Sequence, residues 1–353
     1  MATITNAELK KAAPHRVLAL YKFVTPKFSK ESLPTLQAEL YEQCEKFHAK
    51  GTLLLAPEGI NGTICYPFGT NEKDEVKEND NNNNDDDELL SFLRLKFGKD
   101  LRIRISHANF NVFPRLKVKI KSEIVTLHCD NCDPTERKGI YVKPEEWNAL
   151  LQDPDCLVVD TRNEYEVRVG TFRNAINPHT ENFVEFPKWM EQHLAGQSGE
   201  GDEPKAPPKK VAMFCTGGIR CEKATNVCQT LLPSDVPVYH LEGGILAYLD
   251  SIPPEKSLFD GDCYVFDQRV AVTYGNQPST KFINSCKACR HPLCKEDMEG
   301  HEYVEGLSCR WCYESLTEKQ KERFASRQRQ VEIARERGVE EFFDPQQMRK
   351  KRC

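Results

Sequence analysis

Val211-Ala-Met-Phe-Cys215-Thr-Gly-Gly-Ile-Arg220-Cys-Glu-Lys-Ala224 runs from an apolar segment through a cysteine and a glycine-bearing turn into a helical stretch. Val211–Phe214 shows no apolar–polar alternation, as expected of a strand covered on both faces of a parallel sheet. Thr216, Gly217, Gly218 and Ile219 form the turn. Backbone N–H groups in such a turn point inward and make an anion nest at a helix N-terminus. That field favours a thiolate, lowering a cysteine pKa from about 8.5 to roughly 3.5–7.5. Arg220 adds positive charge, and Gly217 and Gly218 allow close backbone approach. Cys215 is the candidate nucleophile and Arg220 its candidate partner. A packed cysteine at a strand end is the plain alternative.

Around this loop, short apolar strands alternate with helices from about 138 to 253. Strands are expected at Leu157–Asp160, Val211–Phe214 and Val236–His240. Helices are expected at Pro144–Leu151, Phe183–Leu194, Ala224–Leu232 and Gly243–Leu249. The alternation predicts a doubly wound parallel sheet. Asp160 ends its strand on the side where such sheets place ligands, with a structural helix-capping role as the alternative. Arg162 reads as a scaffold ion-pair partner. Cys221 is a candidate resolving thiol, or simply a packed one.

The segment from about 14 to 125 reads β-α-β-β-α-β with one further strand, a ferredoxin-like pattern. Residues 71–88 hold nine acids and two lysines, a local charge of −7. Such a run cannot bury a core and predicts a disordered insertion. Residues 195–209 read as a solvated loop. Residues 101–121 contain six Lys/Arg and no acid. There Arg102 and Arg104, and then Lys117, Lys119 and Lys121, alternate with apolar residues. Strand periodicity puts each set on one face, the footprint of phosphate binding, although a solvated face is the plain alternative.

The third segment, about 258 to 340, carries Cys286, Cys289, Cys309 and Cys312 and then a charged helix over Leu316–Gly338. The spacing Cys-x2-Cys-x19-Cys-x2-Cys suits a structural four-thiolate zinc site, with Cys294 and His291 as spare candidates. Cys129 and Cys132 form a lone Cys-x2-Cys, read as linker with metal or redox roles left open.

Composition bounds the answer. The chain has 353 residues, enough for two or three domains, and a formal charge of −5. Removing the 71–88 contribution leaves +2, so the sum does not exclude a nucleic-acid partner. No apolar run approaches the length of a membrane span, and no signal peptide is read. The 15 cysteines in a long chain point to reduced thiols, some of them metal-bound or catalytic, in a cytoplasmic setting.

The loop from Cys215 resembles that of the rhodanese family. The Cys-x5-Arg loop of cysteine-dependent phosphatases is one residue longer than Cys215-x4-Arg220. Four phrases in register narrow the resemblance: Pro57-Glu-Gly-Ile-Asn-Gly-Thr63, Asp160-Thr-Arg-Asn163, Cys215-Thr-Gly-Gly-Ile-Arg-Cys-Glu-Lys223 and Cys263-Tyr-Val-Phe-Asp-Gln-Arg-Val270. The chain is thereby similar to the rhodanese-like tRNA uridine-34 hydroxylase family over roughly residues 14–340. That resemblance implies a ferredoxin-like (acylphosphatase-like) domain, a rhodanese domain and a Cys-rich tail. It also implies oxygen-dependent conversion of wobble uridine to 5-hydroxyuridine, with tRNA as substrate, molecular oxygen as co-substrate, Cys215 essential and no recognised redox cofactor. It favours RNA as the partner of the basic strands. A sulfurtransferase drawing on a sulfur donor, and a non-catalytic zinc-dependent RNA-binding or sulfur-carrier module, are the alternatives.

Overall fold

The computed structural model describes residues 14–67, 87–129, 132–195 and 208–338. The first unit is a five-stranded sheet with two helices. Its elements are β1 (His15–Phe23), α1 (Leu33–Lys46), β2 (Lys50–Ala56), β3 (Gly59–Pro67), α2 (Glu88–Phe97), β4 (Arg102–Ala108) and β5 (Leu116–Ile120). The strand order is β4-β1-β3-β2-β5, antiparallel except for the β2–β5 pair. Helix α1 buries Leu33, Leu36, Leu40 and Cys44, the i, i+3, i+4 stripe of an amphipathic helix, against this sheet.

Residues 71–86 of the acidic run and 196–207 of the loop expected to be solvated fall outside the described residues. The last two residues of the acidic run do not fit the expectation of a disordered insertion. Asp87 caps α2, accepting from the Leu90 amide at 3.0 Å, and it also takes Arg16 and Tyr66. Glu88 is the first residue of the helix. A charge count along the sequence could not separate a capping acid from its solvated neighbours.

The second unit contains β6 (Ile140–Val142), α3 (Pro144–Gln152), β7 (Cys156–Asp160), α4 (Glu164–Val167), β8 (Gly170–Phe172), α5 (Phe186–Leu194), β9 (Lys210–Phe214), α6 (Ile219–Leu231), β10 (Val238–Leu241) and α7 (Gly244–Ser251). Four parallel strands run in the order β6-β10-β9-β7. One face packs on α3 and α7 through Trp147, Phe172, Phe214, Tyr248 and Phe259. The other packs on α5 and α6 through Val159, Phe186, Met190, Met213 and Val227.

Helix α6 starts more than a turn before the expected Ala224. Its first turns are charged, so their periodicity carries no apolar stripe. Yet Arg220 through Cys228 are all buried, because the first unit, linker residues 123–129 and 132–137, and Thr161 and Glu166 of the second unit pack around them. Glu222 accepts from Tyr21 of β1 at 2.9 Å and from Tyr141 of β6 at 2.7 Å. Lys223 reaches Glu123 at 2.6 Å, Glu58 at 2.9 Å and the Val125 carbonyl at 3.0 Å. The Asn226 amide donates to the Asp133 and Arg137 carbonyls.

The last segment is built of short ribbons. The strand β11 (Phe259–Gly261) pairs with β8, β12 (Cys263–Tyr264) with β13 (Ala271–Val272), and β14 (Asn284–Ser285) with β15 (Pro292–Leu293). Helix α8 (Lys295–Glu299) and the long α9 (Glu318–Glu336) follow.

Removing the buried Lys223 cation leaves Glu58 and Glu123 facing each other with some solvent access. Lys223→Met is therefore expected to cost about 3 kcal/mol in urea denaturation, the low end for breaking a buried pair. A loss under about 1 kcal/mol would show that this clamp does not hold the two units together.

Candidate active site and thiol cluster

Cys215 follows Phe214 at the carboxyl end of β9, a central strand, and is only 1% exposed. Two glycines shape its loop. Gly218 caps α6 at φ 98°, a left-handed position. Gly244 sits at φ 65°, where an added Cβ would lie 2.5 Å from the Cys215 carbonyl oxygen. That close approach lets the amides of Ile245 and Leu246 donate to the carbonyls of Cys215 and Thr216 at 3.0 and 3.1 Å. The loop is thus pinned by the start of α7. A Cβ on Gly217 would meet nothing within 4 Å, so open space lies above that residue.

The sulfur of Cys215 accepts from the Gly218 amide at 3.1 Å. Burial alone raises its pKa. The Cys221 thiol donating to it, the Arg220 charge and the amides of Cys221 and Arg220 outweigh burial and bring it down to about 6. Cys221 moves the other way, pushed well up by burial and by the neighbouring Cys215 sulfur, and so stays a thiol donor. Its sulfur also lies 3.7 Å from the Thr161 hydroxyl. A charged acceptor and a neutral donor in contact are what a buried thiolate requires.

Arg220 forms a two-pronged pair with Glu166, at 2.8 and 2.7 Å. Glu166 is fully buried and also accepts from the Thr216 hydroxyl at 3.2 Å. The sequence reading missed Glu166 as a site residue. It lies six residues after Asp160, just beyond the quoted phrase Asp160-Thr-Arg-Asn163. Arg220 therefore serves both the thiolate and this carboxylate.

Asp160 departs from its expected place among the catalytic residues. It is fully buried, and both its oxygens are taken: Arg162 donates at 2.9 and 2.7 Å, the Arg162 amide at 3.1 Å and the Thr171 hydroxyl at 2.8 Å. Arg162 continues to the Gly170 carbonyl at 2.6 Å. The pair ties β7 to β8 and leaves no oxygen for a ligand, so Asp160 is scaffold, as Arg162 was expected to be.

The basic strip splits into two. Arg102 stacks over Tyr141 at 4.4 Å and pairs with Glu242 at 2.5 Å, while Arg104 pairs with Asp250 at 3.2 Å. Both serve the contact with the second unit rather than a free phosphate-facing surface. Alternation along β4 showed which residues share a face but not what covers it. Lys117 is half-buried, and Lys119 and Lys121 are exposed.

Cys286, Cys289, Cys309 and Cys312 converge within 4.8 Å and could hold a metal ion. The sulfurs of Cys286 and Cys312, Cys289 and Cys309, and Cys309 and Cys312 are 3.8, 3.6 and 3.9 Å apart. A tetrahedral zinc–thiolate centre has sulfur–sulfur edges of about 3.8 Å. Cys294 stands apart, donating to Asp297 at 3.0 Å, and His291 stacks on Trp311. Cys129 and Cys132 form a disulfide on a polar 320 Å³ cavity lined by Lys27, Glu58, Glu123, His128, Asp133 and Lys223.

Two measurements check this geometry. Thiolate absorbance near 240 nm, taken as wild type minus Cys215→Ser, is expected to titrate with a midpoint near pH 6; a midpoint near 8.5 contradicts the cradle. Metal analysis is expected to find one zinc per chain, lost on strong chelation together with the native environment of Trp311. A tail that keeps its fold with no metal contradicts that expectation.

Comparison with known proteins places this geometry. Residues 15–124 match the UPF0176 acylphosphatase-like domain and residues 143–251 the rhodanese-like domain. A tRNA uridine(34) hydroxylase of Rhizobium leguminosarum bv. trifolii is 44% identical over 332 residues, 94% of this chain and 97% of that protein. Among solved structures, a thiosulfate sulfurtransferase from Pseudomonas aeruginosa is 17% identical over 32% of this chain and 18% of its own, with a TM-score of 0.24. A rhodanese-like domain from Anabaena sp. is 14% identical over 34% of this chain and 78% of its own, with a TM-score of 0.24. At those scores neither structural likeness bears on the chemistry. The two domain matches in sequence order, and 44% identity along almost the whole of both chains, make this chain a member of the tRNA uridine(34) hydroxylase family.

Proposed function

We propose that the protein hydroxylates the wobble uridine of tRNA to 5-hydroxyuridine, with Cys215 as its nucleophile. The observation that carries the reading is the buried Cys215 sulfur, held as a thiolate by the Gly218 amide and the Cys221 thiol in the loop that follows β9. A thiolate adding to uracil C6 forms an S–C6 bond and makes C5 nucleophilic. Molecular oxygen is the co-substrate. One oxygen atom enters the C5 hydroxyl and the other leaves as water, so the net reaction takes two electrons and two protons from a reductant. Elimination of the sulfur with loss of the C5 proton restores the ring. Cys221, as a thiol in contact with Cys215, donates a hydrogen bond to the departing thiolate or resolves an oxidised Cys215.

Arg220 and Glu166 position the loop, and Thr216, Gly217, Gly218 and Ile219 form its backbone. Lys117, Lys119 and Lys121 offer charge to the tRNA backbone. The four-cysteine cluster fits structural zinc, because a closed thiolate site leaves no position for substrate. No helix among the described residues is long and apolar enough to cross a membrane, and we place the protein in the cytoplasm with its tRNA substrate.

Nucleoside mass spectrometry of tRNA from cells lacking the gene tests the reading. 5-Hydroxyuridine is expected to disappear and to return with wild type but not with Cys215→Ser. Its persistence in the deletion would overturn the claim and leave a sulfurtransferase or a binding module as the better reading, whereas full rescue by Cys215→Ser would overturn Cys215 as the nucleophile.

A further inference from the structure

Phe266 lies in the turn between β12 and β13 and is 57% exposed, although its turn is firmly tied down. Asp267 accepts from the Arg269 side chain at 2.9 and 2.7 Å and from its amide at 3.0 Å, in a pair that is nearly buried. The Val265 amide donates to Val270, and the Gln268 amide donates to Val112 of the first unit. An apolar ring on so rigid a support gains nothing from exposure in the free protein, since burying it is worth about 1.5–3 kcal/mol. Its position is informative. The Arg220 guanidinium of the Cys215 loop is 6.0 Å from the ring centre.

From Phe266 a file of rings runs toward the cysteine cluster. Tyr264 is 5.1 Å away edge-on, and Tyr165 is 5.3 Å further. His291 is 5.8 Å from Tyr165, and Trp311 lies 5.4 Å from His291, nearly parallel to it. Tyr264 is buried, whereas Trp311 is 43% exposed. Trp311 stands between Cys309 and Cys312, so the thiol cluster fixes its backbone.

Cations fringe the file. The Arg168 and Arg310 guanidiniums lie 4.6 and 5.2 Å from the Trp311 ring centre. Each is paired with an acid, Arg168 with Glu164 and Arg310 with Asp297, so these pairs are close to neutral and the net positive charge beside the file comes from elsewhere. Arg290 is exposed, and its carbonyl accepts from the Tyr264 hydroxyl at 3.5 Å. The charges of Arg115, Lys119 and Arg290, after burial, hold the Lys117 ammonium below its usual pKa, so these cations share one neighbourhood. Rigid exposed rings set among cations suit a flexible polyanion with flat faces, as in single-stranded RNA.

We propose that Phe266 and Trp311 are stacking platforms for unpaired anticodon-loop bases. Phe266 takes the base presented to the Cys215 loop, Trp311 takes a flanking base, and Arg290 and Lys117 meet the intervening phosphates. The proposal rests on tRNA being the substrate.

Binding of an anticodon stem-loop RNA to the zinc-loaded full chain, followed by fluorescence polarisation at fixed salt, tests it. Phe266→Leu and Trp311→Leu are each expected to weaken binding about tenfold, within the range for loss of one stacked base. Phe266→Tyr and Trp311→Phe keep a ring and are expected to stay within about threefold of wild type. Metal content and the pH midpoint of the Cys215 thiolate report whether each variant keeps its fold. Wild-type affinity in both leucine variants overturns the platforms and leaves the hydroxylase reading standing. So does equal weakening by the ring-keeping variants, which would mark the positions as structural. If wild type fails to modify uridine-34 while the ring dependence holds, the catalytic reading falls and the platforms remain.

Discussion

Everything in this molecule turns on a helix that carries charge into the interior. The first turns of α6 read Ile219-Arg-Cys-Glu-Lys-Ala-Thr-Asn, yet Arg220 to Asn226 are buried. Burying a charge is costly unless a partner and hydrogen bonds accompany it. Each polar group on the helix therefore dictates a piece of structure elsewhere. Arg220 requires Glu166, Glu222 requires Tyr21 and Tyr141, and Lys223 requires Glu58 and Glu123. Those partners come from three separate regions of the chain. The helix that shapes the thiolate loop is also the part that binds the first unit to the second.

This explains what could be read from the sequence and what could not. Strands such as Val211–Phe214 were visible because a two-sided burial demands an unbroken apolar run. Helix α1 was visible because one buried face demands a stripe. The cysteine loop was visible because a strand, a cysteine, glycines and an arginine in that order have few other uses. The start of α6 was not visible, since its burial is satisfied by distant partners rather than by apolar periodicity. Glu166 and Asp160 illustrate the same limit. Both are acids near a strand end, and only the fold shows that Glu166 reaches the loop arginine while Asp160 is spent on Arg162 and Thr171.

The same reasoning separates the two halves of the basic segment. Local alternation gives Arg102 and Lys119 the same character. β4 and β5 are the two edges of the same sheet; packing of the second unit against β4 engages Arg102 and Arg104 with Glu242 and Asp250, whereas Lys119 and Lys121 at the β5 edge stay in solvent. The four-cysteine cluster needed no such context, because the spacing of its two Cys-x2-Cys pairs already encodes tetrahedral geometry.

The central claim is that the cradle exists to deliver a thiolate to a pyrimidine ring. The most direct test is an anticodon stem-loop carrying 5-fluorouridine at the wobble position. Fluorine at C5 removes the proton whose loss would release the enzyme, so a nucleophile added at C6 stays attached. Incubation with the full chain, followed by intact mass analysis and peptide mapping, is predicted to give a one-to-one covalent complex joined through Cys215. No adduct under conditions where the unmodified stem-loop is turned over, or an adduct on any other cysteine, would contradict the account.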